Sequence, residues 1–216
     1  MYDYVIVGAG SAGCVLASRL SEDPDVRVLL LEAGPPDTNE NIHVPLGYLQ
    51  LGATEVDWDY HSAPESECNG RRITLPRGRV LGGSSSINAM VYIRGNHLDY
   101  AEWGVPGWSW ADLMPYFIKA EDNERGASEW HGAGGPLPVS DCRTNNVMSR
   151  AFVEAGVEAG LPRNPDFNGA EQDGVGLYQV TQRGGQRAST AVAYLKPAME
   201  RANLTVMPYM QVHRLL

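Results

Sequence analysis

The stretch DYVIVGAGSAGCVLASRL, residues 3–20, carries the reading that decides the fold. Residues 3–8 are β-branched or apolar on both faces, the pattern of a parallel strand buried on both sides. Gly8, Gly10 and Gly13 follow at once, and Ser11 to Ser21 then sets Ala12, Val15, Leu16 and Leu20 at helical spacing until Asp23-Pro24-Asp25 stops the helix. A second apolar run, Val26 to Leu31, ends at Glu32. Strand, glycine turn, helix and strand make a βαβ unit close to the shortest the connection allows, which places the chain in the α/β class. Each glycine has a mechanical reason. Gly8 permits the tight turn, Gly10 lets backbone approach a pyrophosphate, and Gly13 lets the helix pack close to the strand. The helix N-terminus offers free N–H groups and a partial positive charge to a diphosphate. Glu32, 19 residues beyond Gly13, can accept hydrogen bonds from the ribose of an adenosine and disfavours a 2′-phosphate. A packing cluster of glycines with an unrelated acid downstream would not explain this shared register. The pattern predicts dinucleotide binding and does not by itself separate FAD from NAD.

Composition bounds the rest. The 216 residues suffice for one large domain or two small ones. A formal net charge of −9 argues against nucleic acid, whose phosphates would be repelled. Cys14, Cys68 and Cys142 form no CxxC pair, which fits a reduced compartment and neither a disulfide framework nor a zinc site. The N-terminus runs straight into the first strand without a basic n-region, and the longest apolar run, Val26 to Leu31, is broken by Arg27. The expected location is cytoplasmic.

Residues 33–76 are rich in Pro, Gly, Asn and acids and read as long connections with one short helix, leading to a short strand over Arg72–Leu75. Ser86 to Tyr92 reads as helical or tightly turned. Ser109 and Asp112 form a capping box for a helix with the stripe Leu113, Tyr116, Phe117 and Ala120. Asn145 to Ala159 reads as a second amphipathic helix (Val147, Met148, Ala151, Phe152, Ala155), and Ser189 to Ala202 as a third. Two strand-like runs follow, Leu204 to Met207 and Met210 to Leu215, and the chain is expected to be truncated at 216, inside a strand pattern.

A second glycine loop stands at Arg77-Gly78-Arg79-Val80-Leu81-Gly82-Gly83-Ser84-Ser85-Ser86-Ile87-Asn88. Gly82 and Gly83 expose backbone N–H groups and the serines add hydroxyls, so the loop reads as another cradle for a polar or anionic ligand. The Lys of a P-loop is missing, which disfavours a nucleoside triphosphate. Flanking Val80, Leu81, Ile87, Met90 and Val91 argue against a solvated linker.

Taken together, YDYVIVGAGSAGCVLASRLSE, VLLLEAG, DWDY, LPRGRVLGGSSSINAMVYIRG and RASTAVAYLKPA resemble the glucose–methanol–choline (GMC) flavin oxidoreductases, nearest the choline and alcohol dehydrogenases. The resemblance covers the whole chain as the N-terminal part of such a protein. It implies a Rossmann-like FAD-binding domain, a parallel sheet with helices, followed by the beginning of an α+β substrate domain. The boundaries expected are 1–140 for cofactor binding, 141–188 for the start of the substrate segment, and 189–216 for a return to the first domain. It implies FAD, with Gly8, Gly10, Ser11, Ala12, Gly13, Glu32 and Ala33 along the adenosine and pyrophosphate. Arg79, Val80, Gly82, Gly83, Ser84 and Ser85 would follow the diphosphate and ribityl, Asn88, Ala89, Met90 and Val91 would border the flavin, and Val212 would touch the adenine. Relatives that hold the flavin covalently use a histidine immediately before the asparagine of the second loop; Ile87 stands there, so non-covalent FAD is expected.

The implied reaction is oxidation of a primary alcohol, choline-like or another small aliphatic or aromatic one, to the aldehyde by hydride transfer to the flavin. An electron acceptor such as oxygen, a quinone or a dye completes the cycle, and oxidase and dehydrogenase both remain open, as does the oligomeric state. In the family the proton-accepting histidine lies in a C-terminal segment. No catalytic residue is therefore expected within 1–216, and the fragment by itself is expected to be inactive and to bind FAD poorly. His43, His61, His97, His131 and His213 are read as surface or structurally hydrogen-bonded imidazoles, Glu55, Asp57 and Asp59 as a solvated loop and not a metal site, residues 103–110 (WGVPGWSW) as packing, and Arg187-Ala188-Ser189-Thr190 as a helix cap. A non-catalytic FAD or nucleotide-binding module, and a GMC-type hydroxynitrile lyase that keeps FAD structurally, are the alternatives.

Overall fold

In the computed structural model, which describes residues 1–144 and 146–215, the chain begins β1 (Tyr4–Val7), α1 (Ser11–Leu20), β2 (Val28–Leu31), α2 (Glu40–His43), β3 (Tyr60–His61) and β4 (Thr74–Leu75). It continues β5 (Val91–Tyr92), α3 (His97–Glu102), α4 (Trp110–Ala120), β6 (Glu121–Asn123), β7 (Leu137–Asp141), α5 (Val147–Glu158), β8 (Gln179–Val180) and β9 (Gln182–Arg183). β10 (Gln186–Arg187), α6 (Lys196–Ala198) and β11 (Leu204–Met207) complete it. These elements form two compact units, Met1–Met90 with Gly184–Leu216, and Val91–Arg183. The units change over at 90/91 and 183/184, whereas the sequence reading set its functional boundaries at 140/141 and 188/189.

The first unit is built on a parallel sheet in the order β1-β2-β11. Tyr4 to Val7 pair with Val28 to Leu31, and Leu204 to Met207 pair with the same residues of β2. α1 turns Gly13, Cys14, Ala17 and Ser18 into the interior, small side chains that let it lie close to the strands. β1 departs from the expected two-sided burial. Ile6, Val28 and Leu30 are buried on the α1 face, while Val5 and Val7 on the opposite face are 57% and 54% exposed. β1 is an edge strand, and the described helices of this unit cover one side of it. A second cluster, Ile42, Leu51, Val56, Val80 and Ile87 with Tyr48 against it, gives the long 33–76 connection its own apolar anchor.

Two further expectations in this unit are corrected. The helix expected over Ser189–Ala202 is present but shorter, and its body, Ala191–Leu195, is π-helical before three α-helical residues, because Pro197 has no N–H to continue an i→i−4 ladder. Met210–Leu215 is not a strand. Pro208 and Tyr209, the latter at φ +60°, turn the chain out of the sheet, and the Tyr209 and Met210 N–H groups donate to the Gly34 and Glu32 carbonyls across the end of β2. Asp57 is also no solvated acid: it is buried, and its carboxylate accepts from the backbone N–H groups of Ala53 and Arg77.

The second unit carries a four-stranded mixed sheet in the order β5-β8-β7-β6. The Ser109–Asp112 capping box is present on α4. Of the stripe expected on α5, Val147, Met148 and Phe152 are 70% exposed or more; the helix instead buries Val153 and sets Gly156 against Val175. Asn145, expected to open that helix, lies outside the described residues, and Asn146 supplies the cap. The core of this unit is polar at its centre. Glu121, fully buried, accepts from Arg94 Nη2 at 2.8 Å and lies 2.9 Å from His131 Nδ1, while His131 Nε2 lies 2.8 Å from Asp166. His131 is thus held by hydrogen bonds on both ring nitrogens. The Glu121 bond raises its pKa against the opposing effect of burial, with Asp166 adding to the rise. Burial pushes the Glu121 carboxyl the other way but is outweighed by its bonds to His131, Asn123 and the Gly132 N–H, so its pKa falls. No helix among the described residues is long and apolar enough to cross a membrane.

Candidate functional site

The two glycine loops of the first unit touch. The Gly82 N–H donates to the Ala9 carbonyl at 2.8 Å, and a Cβ added to Gly83 would lie 2.6 Å from the Gly10 Cα. Gly82 and Gly83 take φ of +91° and +55°, the left-handed region that glycine enters without a Cβ penalty. A Cβ at either position would meet this strained backbone and a close neighbour, Ser86 Oγ at 2.2 Å from Gly82 and the Gly10 Cα at 2.6 Å from Gly83. Glu32 locks the arrangement from below. One carboxylate oxygen accepts from the Ala9 N–H at 2.7 Å and the other from the Gly34 N–H at 2.9 Å. Each oxygen keeps a further lone-pair site for a ligand hydroxyl. Gly34 in turn packs on the Arg79 carbonyl, where a Cβ would approach to 1.9 Å.

Between these parts lies a cleft of about 270 Å³. Gly8, Gly10, Glu32, Ala33, Gly83 and Val212, all named from the sequence, line it. Gly10 caps α1 with no side-chain acceptor, and the first turn of α1 holds no acid, so among the described residues neither the cap residue's side chain nor an acid of the first turn competes for the N–H groups at Ser11, Ala12 and Gly13. Those N–H groups and the positive end of the helix dipole suit a diphosphate. A Cβ on Gly10 would meet nothing within 4 Å, whereas one on Gly13 would lie 1.9 Å from the Gly8 carbonyl oxygen. Gly10 therefore leaves the cleft open, and Gly13 closes the helix onto the strand.

Other named residues support the cleft without lining it. Val80 is fully buried in the apolar cluster. The serine hydroxyls, expected to face a ligand, are engaged within the loop. Ser84 Oγ accepts from the Gly78 N–H, Ser85 Oγ donates to the Gly82 carbonyl, and Ser86 Oγ donates to the Leu81 carbonyl. The helix or tight turn expected over Ser86–Tyr92 lies earlier, as a single 3-10 turn over Gly83–Ser86, and Val91–Tyr92 is strand β5. Asn88 and Ala89 are exposed, Met90 is buried at φ +64°, and Val91 opens the second unit. Cys14, beneath the first loop, donates Sγ–H to the Ala9 carbonyl, and burial pushes its thiol up to about 11.

The sequence reading missed two residues. Trp58 lines the cleft, its ring stacked on Tyr60 and covered by the Arg79 guanidinium at 5.2 Å. The DWDY motif held that signal, since an aromatic among acids has little to pack against unless a cavity or a cation meets it. Arg187, read as part of a cap, is buried and donates to Ile42, Ser85 and Asn88. No group of three or more metal-ligating side chains occurs among the described residues. A larger cavity in the second unit, about 410 Å³, is bordered by Asn168 and Gln172, whose amides already bond the backbone of Tyr92 and Arg94. It lacks the glycine cradle of the smaller cleft.

Comparison with known proteins agrees with this architecture. The chain is 54% identical over 211 residues to an alcohol dehydrogenase [acceptor] of Pseudomonas putida, covering 95% of this chain and 38% of that one. The crystal structure of pyridoxine 4-oxidase from Mesorbium loti superposes with a TM-score of 0.92 at 42% identity, over 97% of this chain and 42% of that one. An FAD-dependent oxidoreductase from Chaetomium thermophilum gives a TM-score of 0.85 at 32% identity, over 96% and 38%. The chain thus spans well under half the length of the relatives it matches. The family pattern described as GMC oxidoreductase matches residues 2–216, and the chain belongs to that family.

Proposed function

We propose that this chain is the cofactor-binding portion of an FAD-dependent enzyme that oxidises a small primary alcohol to the aldehyde. The observation that carries the reading is the contact between the two glycine loops, which makes one cleft from an uncapped helix N-terminus, Glu32 and the Gly82–Gly83 turn. A long dinucleotide needs such a continuous backbone track; a mononucleotide would use the first loop alone. The P. putida relative named an alcohol dehydrogenase and the C. thermophilum one named FAD-dependent point the same way.

FAD, when bound, supplies the hydride acceptor for alcohol oxidation. The chain's own residues bind and orient it. The α1 N–H groups at Ser11, Ala12 and Gly13 would hold the diphosphate, Glu32 the ribose hydroxyls, and Val212 with Trp58 the adenine. Asn88, Ala89 and Met90, beyond the second loop, would meet the flavin end. Ile87 is buried against Val80 and Ile42, which supports FAD held without a covalent bond at this position. The first unit is assigned to cofactor binding and the second to the start of the substrate domain. The proton acceptor is assigned to a part of the protein beyond residue 216, and oxygen or a quinone to the role of final acceptor. The test is dye reduction by the full-length protein with a panel of primary alcohols. Alcohol-dependent bleaching of a bound flavin is expected, and a flavin that no alcohol reduces would refute the assignment.

A further inference from the structure

Arg187 sits in surroundings that its position in a cap does not explain. It is only 2% exposed, and its partners among the described residues are three oxygens. Nε donates to the Ile42 carbonyl at 2.6 Å, and Nη1 donates to the Ser85 carbonyl at 3.1 Å and to Asn88 Oδ1 at 2.8 Å. Nη2 is buried with no partner among the described residues. Burial pulls the guanidinium down to about 10, and no carboxylate among the described residues pairs with it. A buried cation kept at this desolvation penalty without an ion pair must be fixing something.

The group it fixes is the Asn88 amide. Oδ1 accepts from two donors, Arg187 Nη1 at 2.8 Å and the Met90 N–H at 3.0 Å. Turning the amide over would set Nδ2 against both donors, so the network admits one orientation. Nδ2 then faces away from Arg187, on an exposed side chain, and no described residue accepts from it. The same guanidinium holds the Ser85 carbonyl, within the turn that sets Gly83 against Gly10.

We propose that Arg187 is a positioning residue that locks the Asn88 amide with its NH₂ group outward, so that the second glycine loop presents a hydrogen-bond donor to the flavin end of the cofactor. The inference rests on the reading of Asn88 as a flavin neighbour given above.

Asn88→Asp separates this role from a merely structural one. Both carboxylate oxygens accept, so the contacts to Arg187 and the Met90 N–H survive, and the buried cation gains a counter-charge. The outward donor disappears. In full-length protein stripped of flavin, N88D is expected to unfold at the same or a higher temperature than the parent. Its affinity for FAD should fall about tenfold, the worth of one hydrogen bond. ADP carries the same diphosphate and is the control; its affinity should stay within about twofold at physiological salt, where a single added charge is screened. Arg187→Lys, whose single ammonium cannot reach Ile42, Ser85 and Asn88 together, should weaken FAD more than ADP. FAD affinity unchanged in N88D would overturn the inference and leave the flavin reading intact. Equal weakening of ADP and FAD in either variant would overturn it as well, by showing repulsion or general loosening. A parent protein that binds ADP but no FAD would refute the flavin reading itself.

Discussion

Gly10→Ala and Gly13→Ala should fail in opposite ways, although the residues sit three apart in one motif. At Gly13 the added Cβ would lie 1.9 Å from the Gly8 carbonyl oxygen, where ordinary contact begins at 3.4 Å. The obstacle is backbone, so α1 or the end of β1 must move by about 1.5 Å, the difference of those two distances. Overpacking of this kind costs about 1–3 kcal/mol, against a gain of at most about 1 kcal/mol from replacing a helical glycine. The clash wins, and a net loss of roughly 2 kcal/mol is a large share of a domain's marginal stability. At Gly10 the Cβ meets nothing within 4 Å, and the backbone, at φ −69° and ψ −170°, is open to any residue. Alanine there restricts the unfolded chain and should leave stability unchanged or raise it by about 0.4–1 kcal/mol. Its methyl enters the cleft. Displacing a diphosphate from one or two charge-assisted N–H bonds, each worth about 1.5–3 kcal/mol, should weaken FAD and ADP by about tenfold to a hundredfold or more. Urea unfolding of flavin-free protein and calorimetric titration with both ligands measure the two effects. The reasoning is refuted if G10A unfolds early, or if it binds ADP as tightly as the parent while G13A melts normally.

Three further outcomes are expected. Gly83→Ala combines φ +55° with a Cβ at 2.6 Å from the Gly10 Cα, so it should destabilise the flavin-free protein by about 2–3 kcal/mol in urea and weaken FAD as well. Glu32→Gln turns an NH₂ toward one of the two N–H donors now bonded by the carboxylate, which should cost about 1–3 kcal/mol and loosen ADP binding. The His131 pKa is raised in the folded protein by Glu121 and Asp166 above its ordinary 6.5, so its contribution is complete below that pH and is lost as pH rises through the folded value. A melting series should fall across that range in the parent and lose this slope in H131Q; an unchanged slope would show that the buried pair does not titrate there.

The first βαβ unit was legible because its signals are local. Glycines, helix stripe and Glu32 follow in one continuous run, and each enforces its geometry within a few residues. The capping box at Ser109–Asp112 was legible for the same reason. The contact between the two glycine loops was not, because Ala9 and Gly82 are brought together only when the 33–76 connection anchors on Val80 and Ile42. Periodicity misled where a stripe needs a partner: Val147, Met148 and Phe152 have the spacing of a buried face, yet α5 packs through Val153 and Gly156. It misled again at Met210–Leu215, where apolar composition suggested a strand and the Pro208–Tyr209 turn carries the chain across the end of β2. Arg187 and the His131 network depend on long-range neighbours, so their residue types carried no sign of which partners they meet, whereas Trp58 was signalled only by the acids around it in DWDY. The serines of the second loop show the converse: hydroxyls that look aimed at a ligand are those best placed to bond their own backbone.

If the paired glycine loops form one cleft for FAD held without a covalent bond, the cofactor leaves the protein when the fold is destroyed. Spectra of the purified full-length protein before and after acid precipitation test this most directly. A flavin spectrum at about one FAD per chain, released wholly into the supernatant and identified there as FAD, is the predicted result. A protein that takes up no flavin after incubation with FAD, or a flavin that stays in the pellet, would contradict the account.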